Sequence, residues 1–229
     1  MGSLRSSVIL AGGAGRRIGS EKAFLEFFGV TMIERTVEVV GEVADEVVVV
    51  ARDTDQAERL RKVVPEARVV ADPVRGFGPV AGLAAGMEAA GSEFVLAVGC
   101  DLPFLNPGVV NLLFDLAGGH DAAVPAREGG LIEPLHAVYR ADPMARACRE
   151  ALAAGERRIR GPLGALSVRN VPVDILRPLD PQLLSLYNLN TEEDLAEARR
   201  IEEVRGGGGG PGRRRRRPGQ RSKPLRESR

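Results

Sequence analysis

Residues 6–22 read Ser-Ser-Val-Ile-Leu-Ala-Gly-Gly-Ala-Gly-Arg-Arg-Ile-Gly-Ser-Glu-Lys. The first part of this stretch, residues 6–11, is short and mostly apolar, which is typical of a strand that is buried on both faces of a sheet. The glycines that follow let backbone N–H groups approach a phosphate closely, and Arg16, Arg17 and Lys22 add positive charge. Open α/β sheets bind ligands at the carboxyl ends of their strands. The stretch therefore predicts an α/β fold with a phosphate-binding loop after its first strand.

Two familiar phosphate-binding motifs do not fit this loop. Gly13, Gly15 and Gly19 have the spacing G-x-G-x-x-x-G, which is one residue longer than the dinucleotide fingerprint. The P-loop motif requires Gly before its Lys and Ser or Thr after it, whereas Glu21 precedes Lys22 and Ala follows. The loop is thus expected to bind phosphate by a different pattern.

The rest of the chain alternates short β-branched runs with longer amphipathic ones, the pattern of a parallel sheet covered by helices. Strands are predicted at 6–11, 46–51, 67–71, 94–99, 121–125, 135–139 and 171–175. Helices are predicted at 31–43, 54–64, 80–90, 107–117 and 144–154, with a last one that Thr191 caps and that runs to about Arg205. Asn106 before Pro107 and Gly118 after the fourth helix match the usual start and stop signals. We expect one three-layer α/β/α, Rossmann-like domain with a mostly parallel sheet.

Composition excludes several classes of protein. The 229 residues are 44% hydrophobic, which suffices for a core, but Cys occurs only at 100 and 148 and His only at 120 and 136. A disulfide scaffold, a cysteine zinc site and a histidine-rich metal centre are therefore not expected. No apolar run reaches the roughly 18 residues that a membrane span needs, and the apolar run near the start is too short for a signal peptide. These features predict a cytoplasmic protein.

The net charge of +1 combines two unlike parts of the chain. Residues 206–229 carry nine cationic side chains against Glu227, a net charge of +8, which leaves −7 for residues 1–205. The second part begins with five glycines and has almost no apolar residues, so we expect a folded domain at 1–205 and a disordered Gly-rich linker and basic tail at 206–229.

The ends of the chain leave two alternatives open. The basic tail suggests a nucleic-acid-binding protein, but the domain is acidic and no aromatic residues are interleaved with the basic cluster. Residues 1–6 fit the short pattern for N-myristoylation, which would attach the chain to a membrane, although the first strand starts almost at once. We therefore expect neither a nucleic-acid ligand nor a membrane partner.

Five segments, in the same order, resemble the molybdopterin guanylyltransferases, the nucleotidyltransferases that make the molybdenum guanine dinucleotide cofactor. They lie at 10–22, 72–82, 100–105, 133–139 and 188–195. The first segment is shared with many sugar and polyol nucleotidyltransferases, whereas the five together are specific. Three positions depart from the family pattern: Ile18 replaces a usual Met, Glu21 a usual Asp and Glu133 a usual Gln.

The resemblance implies a nucleotidyltransferase domain at 1–205 that transfers GMP from GTP to molybdopterin and releases pyrophosphate, with Mg²⁺ as cofactor. GTP and molybdopterin are then the substrates, and cofactor-delivery or acceptor proteins remain open as partners. A phosphate monoester is largely dianionic at neutral pH, because its second pKa is near 6. Positioning and charge neutralisation, rather than a general base, are therefore the expected tasks of the site.

The resemblance also implies which residues act. Lys22, Arg17 and Asp101 are the expected catalytic residues, and Asp101 is also the expected Mg²⁺ ligand. The nucleotide is expected to contact Leu10, Ala11, Gly12, Gly13, Gly15, Lys22, Asp72, Gly78, Gly82 and Asp101.

Asn188, Asn190 and Arg158 are the expected molybdopterin contacts. Asn190 could instead complete the metal shell, and Arg158 belongs to a basic run that could simply be exposed. His136 is expected to be a packed side chain rather than a catalytic one. Gly12 gives L-A-G-G, the guanylyl pattern, whereas cytidylyl relatives carry L-A-A-G. Use of CTP, or of another phosphorylated acceptor, therefore remains the alternative activity.

Overall fold

The computed structural model describes residues 4–13, 21–74 and 77–206. Nine strands are assigned in these residues: β1 Arg5–Leu10, β2 Glu26–Phe27, β3 Val30–Thr31, β4 Glu46–Ala51, β5 Arg68–Ala71, β6 Phe94–Gly99, β7 Ala122–Ala126, β8 His136–Arg140 and β9 Val168–Pro172. The α-helices of the same residues are α1 Met32–Gly41, α2 Thr54–Val63, α3 Pro79–Ala89, α4 Pro107–Ala117, α5 Ala141–Ala153, α6 Arg160–Leu163 and α7 Glu192–Gly206. The predictions for Gly15, Arg17 and the basic tail after residue 206 concern residues outside these ranges.

Seven strands form one twisted sheet in the order β5-β4-β1-β6-β8-β7-β9. β8 runs antiparallel to both of its neighbours, while the other four pairings are parallel. The prediction of a mostly parallel sheet is confirmed. Because β8 is reversed, its first residue His136 pairs with Val98 near the carboxyl end of β6. The start of β8 therefore lies at the same edge of the sheet as the ends of β1, β4, β5 and β6.

Helices cover both faces of the sheet and bury an aliphatic core on each. One core packs α1, α2 and α4 against the sheet, and the other packs α3 and α5 against the opposite face. α3 lies especially close to the sheet, because a Cβ on Gly86 would collide with Val8 Cγ1 and lie 3.1 Å from Val50 Cγ2. The three-layer α/β/α architecture is confirmed.

The helix starts follow the predicted capping chemistry. Asn106 Oδ1 accepts hydrogen bonds from the N–H groups of Gly108 and Val109, at 2.8 and 3.3 Å. The carboxylate of Asp194 accepts from the N–H of Thr191, and Asp194 N–H donates back to the Thr191 hydroxyl. These reciprocal bonds fix the start of α7, which holds Asn190 in place at the sheet edge.

Two predicted boundaries were wrong for reasons that involve proline. α5 begins at Ala141, three residues earlier than expected, because Pro143 lies in its first turn, where no helical N–H bond is needed. The last strand was expected at 171–175, but β9 ends at Pro172 and a 3-10 helix follows at Val173–Leu176. Proline cannot donate to a strand ladder, so the pairing stops there.

The β2–β3 hairpin was not predicted from the sequence. It turns through Phe28 and Gly29, both with positive φ. Phe27 from this hairpin packs with Phe104, Leu189 and Ala198 in a small third core that joins α7 to the site edge. Among the residues that the structure describes, every helix is too short or too polar to span a bilayer.

Candidate active site

A cavity of about 520 Å³ opens at the edge where β1, β4, β5 and β6 end. Parallel strands end at the same edge of a sheet, so the loops after these four strands converge there. Most of the residues expected to contact nucleotide line this cavity: Leu10, Gly12, Gly13, Lys22, Asp72, Gly78, Gly82 and Asp101. Ala11 is fully buried and is not among the lining residues. Gly15 and Arg17 lie outside the described residues.

Lys22, Asp101 and Asn190 meet at one point of the cavity edge, although up to 168 positions separate them in the chain. Lys22 Nζ donates to Asp101 Oδ2 at 2.7 Å and to Asn190 Oδ1 at 2.9 Å. The Lys22 and Asp101 side chains are only 14% and 21% exposed. The Lys22 ammonium thus lies between a carboxylate oxygen of Asp101 and the amide oxygen of Asn190. Asn190 therefore lies beside Asp101, as its alternative role in the metal shell requires.

The backbone around Asp101 explains how this geometry is held. A Cβ on Gly99 would lie 2.5 Å from Asp101 Oδ1, so the carboxylate folds back over a residue that has no side chain. Leu189 N–H donates to the Asp101 carbonyl at 2.9 Å, which ties the segment that carries Asn190 to the end of β6. Cys100, which lies between Gly99 and Asp101 in the chain, is buried, and this burial raises the pKa of its thiol to about 12. The thiol therefore stays protonated and is no nucleophile at neutral pH.

Asp72 and the start of α3 form another wall of the same cavity. Burial raises the pKa of Asp72, although its carboxylate accepts a hydrogen bond from Val74 N–H at 2.8 Å. Gly78 precedes α3 with φ +74°, a conformation that favours glycine, and a Cβ there would lie 3.1 Å from the Arg157 carbonyl. The free N–H groups and positive dipole end of α3 therefore face a cavity that suits an anion.

A second cavity, of about 440 Å³, adjoins the first, because Pro79 and Leu135 line both. Arg158 and Asn188, two of the expected molybdopterin contacts, line it together with Arg157. Asn190 is not among its lining residues and instead contacts Lys22. Ligands bound in the two cavities would therefore lie next to each other, with cationic side chains on both sides of the shared wall.

The loop that carries Arg158 is held by hydrogen bonds within the loop itself. Glu156 Oε1 accepts hydrogen bonds from the N–H groups of Arg158 and Arg157, at 2.7 and 2.8 Å. These bonds hold the pKa of Glu156 below its usual value. The Arg157 guanidinium stacks 5.2 Å from the Phe77 ring centroid, just before α3. The basic loop is thus an ordered part of the wall, next to the start of α3.

His136 is buried, as expected for a packed histidine, and it lines the second cavity. Its Nδ1 lies 2.9 Å from the Ser185 carbonyl oxygen, which fixes Nδ1 as the protonated nitrogen. Burial lowers the pKa of His136 to about 4. The ring is therefore neutral at physiological pH.

The donor set at Asp101 suits Mg²⁺. A carboxylate oxygen and an amide oxygen already converge on the Lys22 ammonium, and hard oxygen ligands of this kind are those that Mg²⁺ prefers. Within residues 4–13, 21–74 and 77–206, no three acidic, Cys or His side chains gather as a metal site. Asp101 and Asn190 could hold such an ion with their side-chain oxygens.

The sequence did not predict the hydrogen bonds that hold Glu21, which come from α2 and from the residue segment just before it. Glu21 accepts hydrogen bonds from Arg52, Gln56 and Arg59, and Arg52 itself lines the first cavity. Gln56 is fully buried. The sequence does place Gln56 four positions before Leu60, so it is a polar residue on the apolar face of the helix predicted at 54–64. That position could have indicated a buried polar contact.

Residues 7–168 match the family profile of the MobA-like NTP transferase domain. The chain is 41% identical over 200 residues to a probable molybdenum cofactor guanylyltransferase of Methanosarcina mazei, which covers 84% of this chain and 89% of that protein. It is 35% identical over 199 residues to the molybdenum cofactor guanylyltransferase of Desulfosudis oleivorans, with 84% and 93% covered.

A solved structure gives the same picture. The chain superposes with a TM-score of 0.77 on the molybdopterin-guanine dinucleotide biosynthesis protein A of Archaeoglobus fulgidus, at 34% identity, over 87% of this chain and 99% of that one. The similarity therefore covers most of both chains.

Proposed function

Because the chain belongs to the MobA-like NTP transferase family, we propose that it transfers GMP from GTP to the phosphate of molybdopterin. An oxygen of the acceptor phosphate forms a bond to the α-phosphorus of GTP, the bond from that phosphorus to the bridging oxygen breaks, and pyrophosphate leaves. The observation that carries the proposal is the pair of adjoining cavities that share Pro79 and Leu135, with the Lys22–Asp101–Asn190 cluster beside the first.

The first cavity is the proposed nucleotide site. Its glycine-lined wall at Gly12 and Gly13 brings the backbone close to the ligand, and the start of α3 attracts the triphosphate. Lys22 neutralises phosphate charge as the leaving group forms. The partly buried Asp72 carboxylate accepts hydrogen bonds from donors of the nucleoside.

The preference for GTP over CTP is supported by the space at Gly12. A Cβ at this position would lie 3.3 Å from Arg52 Cβ, tighter than most real contacts, so alanine would press on Arg52 and narrow the cavity. Guanine is larger than cytosine and needs the extra room. The L-A-G-G sequence therefore fits a purine, while a related transferase reaction with CTP is the alternative that a nucleotide comparison must exclude.

The second cavity is the proposed site for the acceptor. Arg158 and Arg157 supply positive charge to the anionic acceptor, and Asn188 supplies an amide. Asn190 acts at the junction instead, since it holds the Lys22 ammonium in the free protein. The acceptor needs no general base, because a phosphate monoester is already ionised at pH 7.

We further propose Mg²⁺ as the cofactor, held by Asp101 and assisted by Asn190. When bound, the ion supplies positive charge to the triphosphate oxygens. Asp101→Asn should reduce transfer by orders of magnitude and weaken the dependence of the rate on Mg²⁺ concentration. An Asp101→Asn variant with an unchanged Mg²⁺ dependence would show that this residue is not the ligand.

Isotope transfer tests the reaction directly. GTP labelled at the α-phosphate should pass its label to molybdopterin, and GTP labelled at the γ-phosphate should pass it to pyrophosphate. CTP, ATP and UTP under the same conditions form the comparison. Label transfer from CTP alone would overturn the guanylyl assignment and favour the cytidylyl alternative.

A further inference from the structure

Gln56 links the two ends of the glycine-rich loop through one buried amide group. Its Nε2 donates to the Ala11 carbonyl at 3.0 Å and to Glu21 Oε2 at 3.1 Å. Ala11 directly precedes Gly12 and Gly13, which end the first described range, and Glu21 begins the next one. A side chain that is 0% exposed thus joins the two described segments on either side of residues 14–20.

Gln56 is itself held rigidly at the start of α2. Its Oε1 accepts from Arg52 N–H at 2.8 Å, and its own N–H donates to Asp53 Oδ1 at 2.8 Å. Both ends of the amide therefore have partners, so the side chain cannot rotate without breaking several hydrogen bonds. The buried Gln56 amide is therefore held in one orientation by its three side-chain hydrogen bonds.

Glu21 is an ionised anchor in this network. Its Oε1 accepts from Arg52 at 2.9 Å and from Arg59 at 2.8 Å, while Oε2 accepts from Gln56. Burial raises the pKa of Glu21, but the hydrogen bonds from Arg59, Arg52 and Gln56 outweigh this and leave the pKa below its usual value. The carboxylate therefore keeps its charge at neutral and mildly acidic pH.

The anchor acts on the residue that follows it. Lys22 comes directly after Glu21, and the 3-10 turn there is closed by bonds from Phe24 N–H to the Glu21 carbonyl and from Leu25 N–H to the Lys22 carbonyl. Fixing Glu21 therefore fixes the backbone from which the Lys22 ammonium reaches Asp101. The same network fixes Ala11 and Glu21 before a ligand arrives, so these two residues need not be ordered on binding.

We propose that Glu21 and Gln56 are positioning residues for nucleotide transfer, which together clamp both ends of the phosphate-binding loop and aim Lys22 at the triphosphate. The assignment rests on the proposed function for the reaction, but not on the identity of the base. The usual family residue at position 21 is Asp; the extra methylene of Glu21 lets the carboxylate reach Gln56, Arg52 and Arg59 together.

Three variants test the clamp. Glu21→Gln keeps the shape but removes the charge and turns a donor toward Arg52, Arg59 or Gln56. Gln56→Met keeps the length and burial but removes both donated bonds. Glu21→Asp keeps the charge and shortens the reach, so it serves as the conservative rescue.

Glu46→Gln is the matched control. Glu46 Oε2 also accepts two hydrogen bonds, from Ser6 Oγ at 2.7 Å and from Gly91 N–H at 2.8 Å. Its side chain is 31% exposed, against 22% for Glu21. It lies at the amino end of β4, the opposite end of the sheet from the cavities.

The readouts are nucleotide affinity by calorimetry, kcat and KM, and thermal unfolding. We expect Glu21→Gln and Gln56→Met each to lower affinity and kcat/KM about 10- to 100-fold, as for the loss of a charge-assisted bond. Their double variant should be no worse than either single one, because both break the same clamp. Glu21→Asp should recover part of the loss, and Glu46→Gln should bind and react like the wild type.

A pH series separates positioning from mere stability. The affinity of the wild type for nucleotide should fall at acidic pH as Glu21 becomes protonated. The affinity of Glu21→Gln should not show this decrease. Unchanged affinity in Glu21→Gln and Gln56→Met, or strictly additive losses in the double variant, would overturn the clamp. Calorimetry uses whichever nucleotide the wild type binds, so failure with GTP alone would count against the proposed function and not against the clamp.

Discussion

The substitution Lys22→Met distinguishes a role of Lys22 in catalysis from a role in stability. The ammonium lies 2.7 Å from Asp101 Oδ2 and 2.9 Å from Asn190 Oδ1, and the Lys22 and Asp101 side chains are mostly shielded from water. Methionine preserves most of the length of the side chain and removes only the charge and its hydrogen bonds. The substitution therefore tests what that charge does.

The expected magnitudes differ for activity and for stability. Two unit charges at 2.7 Å interact by roughly 6 kcal/mol at an effective dielectric constant of 20, but desolvation and side-chain entropy offset most of this. We expect Lys22→Met to lower the free energy of unfolding by about 1 kcal/mol. Loss of one preorganised cation from the reacting phosphates should lower kcat by about 10²–10³-fold.

The assay is pyrophosphate release from GTP in the presence of molybdopterin, with urea unfolding measured on the same samples. Lys62→Met, which removes an exposed cation from α2, is the control and should react like the wild type. The double variant Lys22→Met/Asp101→Asn should recover stability, because no unpaired carboxylate remains, but it should not recover activity. Recovery of kcat along with stability would refute the direct action of Lys22 on phosphate.

Three further predictions follow from the packing and the charges. Gly12→Ala should reduce kcat/KM for GTP by about tenfold and for CTP by less, because the new methyl presses on Arg52; an equal loss with both nucleotides would contradict this. Gly86→Ala should lower the free energy of unfolding, measured by urea titration, by about 1–3 kcal/mol, because the new methyl overpacks α3 on the sheet. Gly41→Ala is the control: its Cβ has open space, so the free energy of unfolding should change by less than about 1 kcal/mol. Burial lowers the pKa of His136 from its ordinary value of 6.5 to about 4, so its contribution to stability is present above pH 6.5 and is lost as the pH falls toward 4. The free energy of unfolding of His136→Asn should therefore depend less on pH over that range.

Much of the fold could be predicted because the signals were local. Apolar runs rich in Val marked β4 and β6 at their observed bounds. Asn106 and Thr191 marked helix starts that the hydrogen bonds confirm. The errors arose where local patterns mislead. The helix predicted at 144–154 in fact begins at Ala141 and includes Pro143, and the strand predicted at 171–175 ends at Pro172.

The site was predictable where motifs carried it and unpredictable where tertiary contacts did. Lys22 and Asp101 follow predicted strands at one sheet edge, so their meeting could be expected. The contact of Asn190 with Lys22 depends on the docking of α7 through the small Phe27 core, which has no local sequence signal. The clamp at Gln56 likewise depends on which face α2 turns toward the loop.

The most direct test of the account is pyrophosphate release from GTP and Mg²⁺ by the full chain, with and without molybdopterin. Two adjoining sites for two reacting anions predict negligible release from GTP alone, and with molybdopterin one pyrophosphate for each guanine dinucleotide formed. Release at the same rate without molybdopterin, or release with it but without a dinucleotide product, would contradict the central claim that the two cavities bring the acceptor phosphate to the α-phosphorus.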